Sequence, residues 1–481
     1  MSMFRRSSVV TTLAVLAALP VAAQDFDLPP VLPGEDAPAA LSSEPQDVEA
    51  DADALGLVTG TTEPEGDGAG ALSLFGENAT LELDARVFSN RALDGGSSMA
   101  ARLQAQYYGT RSFGETSELI FNLRARAEVE QDEDFDFADD FHLDVQELAV
   151  SFSVGEQTNI QIGRINIRNG VASGFNPTDW FRDNSLVVTG SAAPADRRRE
   201  RLGVFALTGT TSLGQTLMQV GYRPAITADD GSLLTDADSF GLGLHRTNPT
   251  DAVFAKVTPN IGDNISFTAN AVLLDGEPGL GFEVSGTLGE ALVLYSEVMA
   301  QRRVSLASEA LADGSGSAGF RAGVGADAGR SVQVQAVVGA NWALPTQIVG
   351  NREMSLVFEY HLNPGGLSGS QIEALSAASG SDRAAAGALY ALANRRQEPL
   401  AEQQIFARFS WTDAIGESDL SLLAFYVPDD GSGLAQVSLD VPFGQSATLN
   451  LRGVQTFGSA SSIYGANPIE RSLQAALTWR Y

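Results

Sequence analysis

Cysteine is absent from the 481-residue chain, and lysine occurs once, at Lys256. Without cysteine there is no disulfide framework, no thiol nucleophile and no Cys-ligated zinc or iron–sulfur site. One lysine argues against a P-loop lysine and a Schiff-base lysine. The three histidines, His142, His245 and His361, stand far apart with no serine motif near them. A hydrolase triad is therefore not expected, and the chain is read as a non-enzyme without cofactor. Basic residues are scarce too: 30 against 60 acids, for a net charge of -30. That charge repels phosphate and excludes a nucleic-acid binder. Beyond the first residues no segment reaches eighteen apolar positions, so no transmembrane helix is expected. Yet 44% of residues are apolar and only 19% charged, too apolar for a wholly disordered chain. The length allows two or three ordinary domains or one large all-β barrel.

What is present starts with a targeting pattern. Arg5 and Arg6 precede the apolar run Val9 to Leu19, and Val21-Ala22-Ala23 supplies small residues for cleavage. Residues 1–23 read as a secretory signal peptide. Its removal takes two arginines and leaves a net charge of -32. Residues 24–70 hold twelve acids and no base, rich in Pro, Ala and Gly. Such a stretch buries too little apolar surface to offset its ordering entropy, and it reads as a disordered acidic periplasmic tail. Residues 71–481, with a net charge of -20, form the remaining domain.

That domain alternates apolar and polar residues. Ala101, Leu103, Ala105 and Tyr107 interleave with Arg102, Gln104 and Gln106; Leu119 to Val129 interleave with Arg124, Arg126 and Glu128. Period two puts each set on one face of a strand. About twenty such segments can be counted, near 80–90, 99–109, 117–130, 141–154, 158–167, 201–208, 215–223, 239–247, 251–258, 265–274, 279–287, 291–303, 318–326, 331–343, 352–362, 402–411, 418–428, 433–442, 446–457 and 471–481. Their lengths fit tilted crossings of a bilayer. The expected fold is all-β: a transmembrane antiparallel up-and-down barrel of about 20 strands, with 18 also compatible. Its expected lumen-facing charges are Arg102, Arg124, Arg126, Glu128, Glu359, Arg408, Arg452 and Arg480.

The aromatics favour a membrane over a soluble sandwich. Trp342, Trp411, Trp479 and Tyr107 end inward-running strands on their apolar faces; Tyr360, Tyr426 and Phe457 end outward-running ones. Together with Tyr481 they make two girdles bounding an apolar band. The end Leu-Thr-Trp-Arg-Tyr resembles the aromatic-terminated last strand of outer-membrane barrels. Gly163-Arg164, Arg168, Gly170 and Asn176-Pro177-Thr178-Asp179 resemble a strand-to-loop junction of large porin-like and exopolysaccharide-export barrels. The resemblance is to the Gram-negative outer-membrane β-barrel porin superfamily, over 80–481. It implies an outer-membrane location, contact with outer-membrane lipid and lipopolysaccharide, and delivery to the barrel-assembly machinery through the last strand.

Three insertions are candidates for function. The third extracellular loop, 168–200, carries Val171, Phe175, Trp180, Phe181, Leu186, Val187 and Val188 with charges of both signs. Folded into the lumen, Arg164, Arg168, Asp179, Arg182, Asp183, Arg197, Arg198, Arg199 and Arg201 would set a transverse field that filters polar solutes. Left on the surface, the arginines would meet lipopolysaccharide phosphates. The stretch 364–401 has helical spacing at Ile372, Leu375, Leu389 and Leu392 and is expected to cap or plug the mouth. The acidic segment 132–140 lacks the glycine and glutamate of an EF-hand loop and reads as a solvated loop, with no metal site.

The expected function is a channel for passive diffusion of small hydrophilic solutes, weakly cation-selective. Two alternatives stand beside it: an export channel for a polysaccharide or other polymer, and a structural barrel anchoring a periplasmic partner through residues 24–70.

Overall fold

A computed structural model describes residues 78–131, 133–186, 190–227, 242–262, 264–350 and 352–481. The signal peptide 1–23, the acidic tail 24–70, residues 71–77 and the pair Val187 and Val188 lie outside the described residues.

Among those residues the alternating segments make eighteen strands. They are β1 Asn78–Ala92, β2 Ser97–Ser112, β3 Ser117–Glu130, β4 Phe141–Val154, β5 Thr158–Ile165 and β6 Val204–Leu213. Then come β7 Thr216–Arg223, β8 Ala252–Pro259, β9 Ile265–Leu274, β10 Glu277–Leu288, β11 Leu292–Arg303 and β12 Ser331–Ala343. The last are β13 Met354–Leu362, β14 Gln403–Ile415, β15 Ser418–Val427, β16 Ser432–Phe443, β17 Ala447–Phe457 and β18 Ile469–Arg480. Each pairs antiparallel with its neighbours in sequence, and β1 also pairs with β18, so the sheet closes. Closure removes both edges and satisfies every ladder, which hydrocarbon requires. The seam runs from Glu82↔Arg480 to Ala92↔Ile469. Tyr481 and Leu81 exchange backbone hydrogen bonds at its foot.

Two of the twenty expected strands are not strands. Segment 318–326 opens with the helix Ala318–Gly323, and Phe320 and the C-cap residue Val324 are buried four residues apart, a spacing that a helix and a strand both allow. In 239–247 the described residues, 242–247, carry the four-residue helix Leu244–Thr247 and no strand. The two false strands stood eighth and thirteenth, so they inverted the direction assigned to the segments between them and left the directions of β12, β14 and β18 unchanged.

The faces sort by chemistry. Outward positions carry Leu280, Phe282, Val284, Val338, Phe358, Leu422 and Leu473, all exposed. Inward positions carry Asp84, Arg102, Arg124, Glu283, Glu297, Glu359 and Gln436, all buried. The inverted pattern, apolar outside and polar inside, suits lipid around a hydrophilic lumen. One end has connections of two to ten residues; the other has the long ones, 166–203, 224–251, 304–330 and 363–402. Trp342, Trp411, Trp479, Tyr107 and Tyr481 lie at the short-turn end, and Tyr360, Tyr426 and Phe457 lie at the long-loop end.

The long loops at that end fold on each other. Helices Leu306–Ala310, Ala318–Gly323, Gly369–Ser376 and Asp382–Arg396 share one apolar core containing Leu306, Leu311, Phe320, Ile372, Leu375, Leu389 and Leu392. The helical insertion expected in 364–401 is therefore present as two helices. Its four marked side chains are all buried in this cap.

Candidate functional site

The third loop, 166–203, does not lie on the surface. A bulge in β4 seats both its roots. Asn122 pairs with Glu147 and Leu123 with Val145, so Gln146 is the extra residue. Adjacent Gln146 and Glu147 therefore both turn inward and are buried. Glu147 accepts from the Asn166 amide at 2.9 Å, where the loop leaves β5. Gln146 donates to the Arg199 carbonyl at 3.0 Å, and its own carbonyl accepts from Gly203 at 2.8 Å, where the loop returns.

From there the loop crosses to the opposite wall and is fastened by two carboxylates. Glu297 on β11 accepts from Ala172 N at 2.6 Å, Asn176 Nδ2 at 3.1 Å and Thr178 Oγ1 at 3.0 Å. Glu359 on β13 accepts from Ser173 N at 2.6 Å, Gly174 N at 2.9 Å, Tyr295 OH at 2.6 Å and His361 Nε2 at 2.7 Å. The approach needs glycine: a Cβ on Gly170, at φ +102, would stand 2.8 Å from Glu297 Oε1, and one on Gly174 2.7 Å from Glu359 Oε2.

The loop then turns back along the other wall. Ala192 N donates to Gln436 on β16 at 2.9 Å, and Gly190 O accepts from Gln474 on β18 at 2.6 Å. The helix Pro194–Arg199 follows. Asp196 on it pairs with Arg452 of β17 at 2.7 Å, and Glu200 pairs with Arg124 of β3. Side chains of β3, β4, β11, β13, β16, β17 and β18 thus hold one loop across the lumen.

The residues expected at a constriction divide by placement. Asp179 and Arg201 pair with each other and are buried. Arg182 is buried against Glu398 at 3.0 Å and the Asn176 carbonyl. Arg198 donates to Asn176 Oδ1 at 2.9 Å and Ser173 O at 2.9 Å. Arg164 shares the outward register with Ile160 and Ile162 and is buried on the carbonyls of Gly203 at 3.0 Å and Leu242 at 2.7 Å. These five fasten the loop. Arg168 and Asp183 are half-buried, Asp183 lying 4.0 Å from Arg396. Arg197 is half-buried and Arg199 exposed, with Arg199 reaching Asp196 at 3.2 Å. Charges buried and matched within the loop do not filter a passing solute; Arg199, exposed although it reaches Asp196, and half-buried Arg197 are better placed to meet one.

All eight expected lumen charges fall on the inward register. On the wall β17–β18–β1–β2–β3 six arginines stand beside carboxylates. Arg102 meets Glu128 at 2.8 Å, Arg124 meets Asp144 at 3.0 Å and Arg480 meets Glu82 at 2.9 Å. Arg86 meets Asp84 at 3.2 Å, Arg126 meets Asp144 at 3.6 Å and Arg452 meets Asp196. The facing wall carries Glu283, Glu297 and Glu359. Sequence reasoning missed Glu283, Glu297 and the Gln146–Glu147 bulge; the two adjacent polar residues that break the alternation of β4 were its visible signal.

The cap is tied to the loop. Glu398, buried, accepts from Arg303 at 2.6 Å on both oxygens and from Arg182. Burial alone would raise its pKa; the guanidiniums of Arg303, Arg182 and Arg396 outweigh it and hold the carboxyl well below the usual range. The free carbonyls at the end of Asp382–Arg396 are used as well: Arg395 O accepts from Asn184 N at 2.9 Å and Arg396 O from Arg182 Nε at 2.9 Å.

No protein-family model and no curated protein matches the chain. Solved structures do match in outline. The outer membrane protein OpdK of Pseudomonas aeruginosa is 10% identical at a TM-score of 0.45, over 85% of this chain and 99% of its own. OprD of the same organism is 11% identical at 0.43, over 85% and 96%. OccAB4 of Acinetobacter baumannii is 8% identical at 0.45, over 84% and 97%. At these values the likeness carries neither family nor substrate across.

Proposed function

We propose that the chain is an outer-membrane channel through which small hydrophilic solutes diffuse passively. The observation that carries this reading is a closed eighteen-strand barrel with an apolar outer face and a charged inner one. A barrel of this size is too wide for its wall side chains to fill, and its lumen is wet. The third loop narrows that lumen, which speaks for small solutes and against a polymer. In this reading residues 1–23 direct export, residues 24–70 lie in the periplasm, the short turns face it too, and the last strand engages the assembly machinery. No catalytic step and no cofactor are part of it.

The test is single-channel recording of the refolded protein in planar bilayers. Discrete current steps are expected. A barrel that folds and inserts yet never conducts would sink the reading. Secretion of a polymer lost on deletion, with conductance specific to that polymer, would favour the export alternative.

A further inference from the structure

The outward face of β13–β18 holds a trough that solute passage does not use. Ala407, Ala424 and Ala435 are direct cross-strand neighbours on this face. Their small side chains form the floor between the larger Phe409, Leu422 and Leu473. The result is an open, largely apolar trough of about 550 Å³.

Its end is not apolar. The same row continues through Gln455 to Arg471, both of which line the trough, and then to Arg91 on β1. Arg91 and Arg471 are register partners on the outward face. Like charges directly opposite each other destabilise a sheet, and a shared anion removes the penalty. Arg471 donates Nε to Gln455 Oε1 at 2.8 Å and is exposed. Arg91 is 60% exposed and forms a loose ion pair with Glu470, 3.9 Å from its Nε. Both arginines sit near the long-loop ends of their strands. Beneath them the outward pairs run Ser89↔Leu473, Val87↔Ala475, Ala85↔Leu477 and Leu83↔Trp479. Two cations therefore crown an apolar column that ends in a tryptophan.

We propose that this trough binds one phosphorylated lipid of the outer leaflet, with its phosphomonoester on Arg91 and Arg471 and an acyl chain along Ala407, Ala424 and Ala435. The proposal rests on the membrane-spanning reading, with the long loops outside. In a bilayer the trough exerts no hydrophobic pull, because bulk lipid is equally apolar. Selection must come from the phosphate, which two guanidinium forks match in charge and geometry. The trough then contributes van der Waals fit and orientation.

The experiment measures lipid retained by the purified full-length barrel in detergent, with dimyristoyl phosphatidic acid against dimyristoylglycerol as probes. The wild type is expected to retain the phosphorylated lipid at least tenfold more tightly, at one per barrel. Arg91→Gln with Arg471→Gln should abolish that preference, and the double Lys variant should keep part of it. Ala424→Phe should weaken retention and leave the phosphate preference intact. Equal retention of both probes, or a double Gln variant that still discriminates, overturns the site. Dimers in place of bound lipid would make the trough a contact between copies, which also overturns it. Conductance of the same samples separates the two readings: current without lipid discrimination removes only the lipid site, and discrimination without current removes only the channel.

Discussion

Glu359 satisfies four donors with two oxygens, and two of those donors are backbone amides of the third loop. Glutamine at this position keeps the shape and offers one accepting oxygen in place of two. Each buried donor left without a partner costs about 1–3 kcal/mol. Glu359→Gln is therefore expected to leave the barrel folded and the loop intermittently free. Single-channel traces should flicker between levels that the wild type lacks; an unchanged trace would show that Glu359 is not a fastening. Glu398 makes a second prediction, in pH. Its folded pKa is depressed, so its contribution is fully present above the ordinary glutamate value of about 4.3 and is lost only as pH falls through the depressed one. The cap should stay docked at pH 5 and loosen only in stronger acid. Glu398→Gln leaves buried Arg182 and half-buried Arg303 without their anion, a loss of about 3–5 kcal/mol for a buried pair. Limited proteolysis of 363–402 reads both effects: resistance from pH 7 to 5 in the wild type, cleavage at pH 7 in the variant.

The strands were legible in the sequence because a wall between lipid and water imposes chemistry on alternate residues. Leu119 to Val129 on β3 and Leu473 to Trp479 on β18 show it residue by residue. The cap helices were legible for the same reason at a different period, in Ile372, Leu375, Leu389 and Leu392. The false strand at 318–326 arose where glycine and alanine dilute the pattern until Phe320 and Val324 fit either period. The fastening of the third loop was not legible, since Glu297 meets amides 119 to 125 positions away and no local spacing encodes that. The run of arginines at 197–199 shows how the element resolves what composition leaves equal. On Pro194–Arg199 successive side chains point in different directions. Arg198 turns into the loop, whereas Arg197 is half-buried and Arg199 is exposed beside Asp196. Arg197→Ser and Arg199→Ser are expected to raise cation preference and conductance together, with steady currents. Arg198→Ser removes hydrogen bonds worth about 1 kcal/mol each and should make the current noisy with little change in reversal potential. Equal behaviour of the three variants would mean that this helix is not set in the passage.

Selectivity of the whole barrel depends on where its unmatched charge sits. Residues 71–481 carry -20. Along the inner wall from β17 to β3 each arginine stands beside a carboxylate, so that wall contributes little net field. Acids without such partners gather at the long-loop end, as in Glu133, Asp134, Asp136 and Asp139 between β3 and β4. There Asp136 and Asp140 accept from nearby backbone amides, and Asp136 is exposed to solvent. An acidic mouth raises the local cation concentration, and added salt screens it. The screening length is about 10 Å at 0.1 M salt and about 3 Å at 1 M. Weak cation selectivity is therefore expected in potassium chloride gradients centred near 0.1 M, falling close to none in gradients centred near 1 M. Charges at a narrow, water-poor constriction escape most of that screening. A cation preference that persists unchanged at 1 M would place the deciding charge inside, beside Arg197 and Arg199, and would sink the assignment to the mouth.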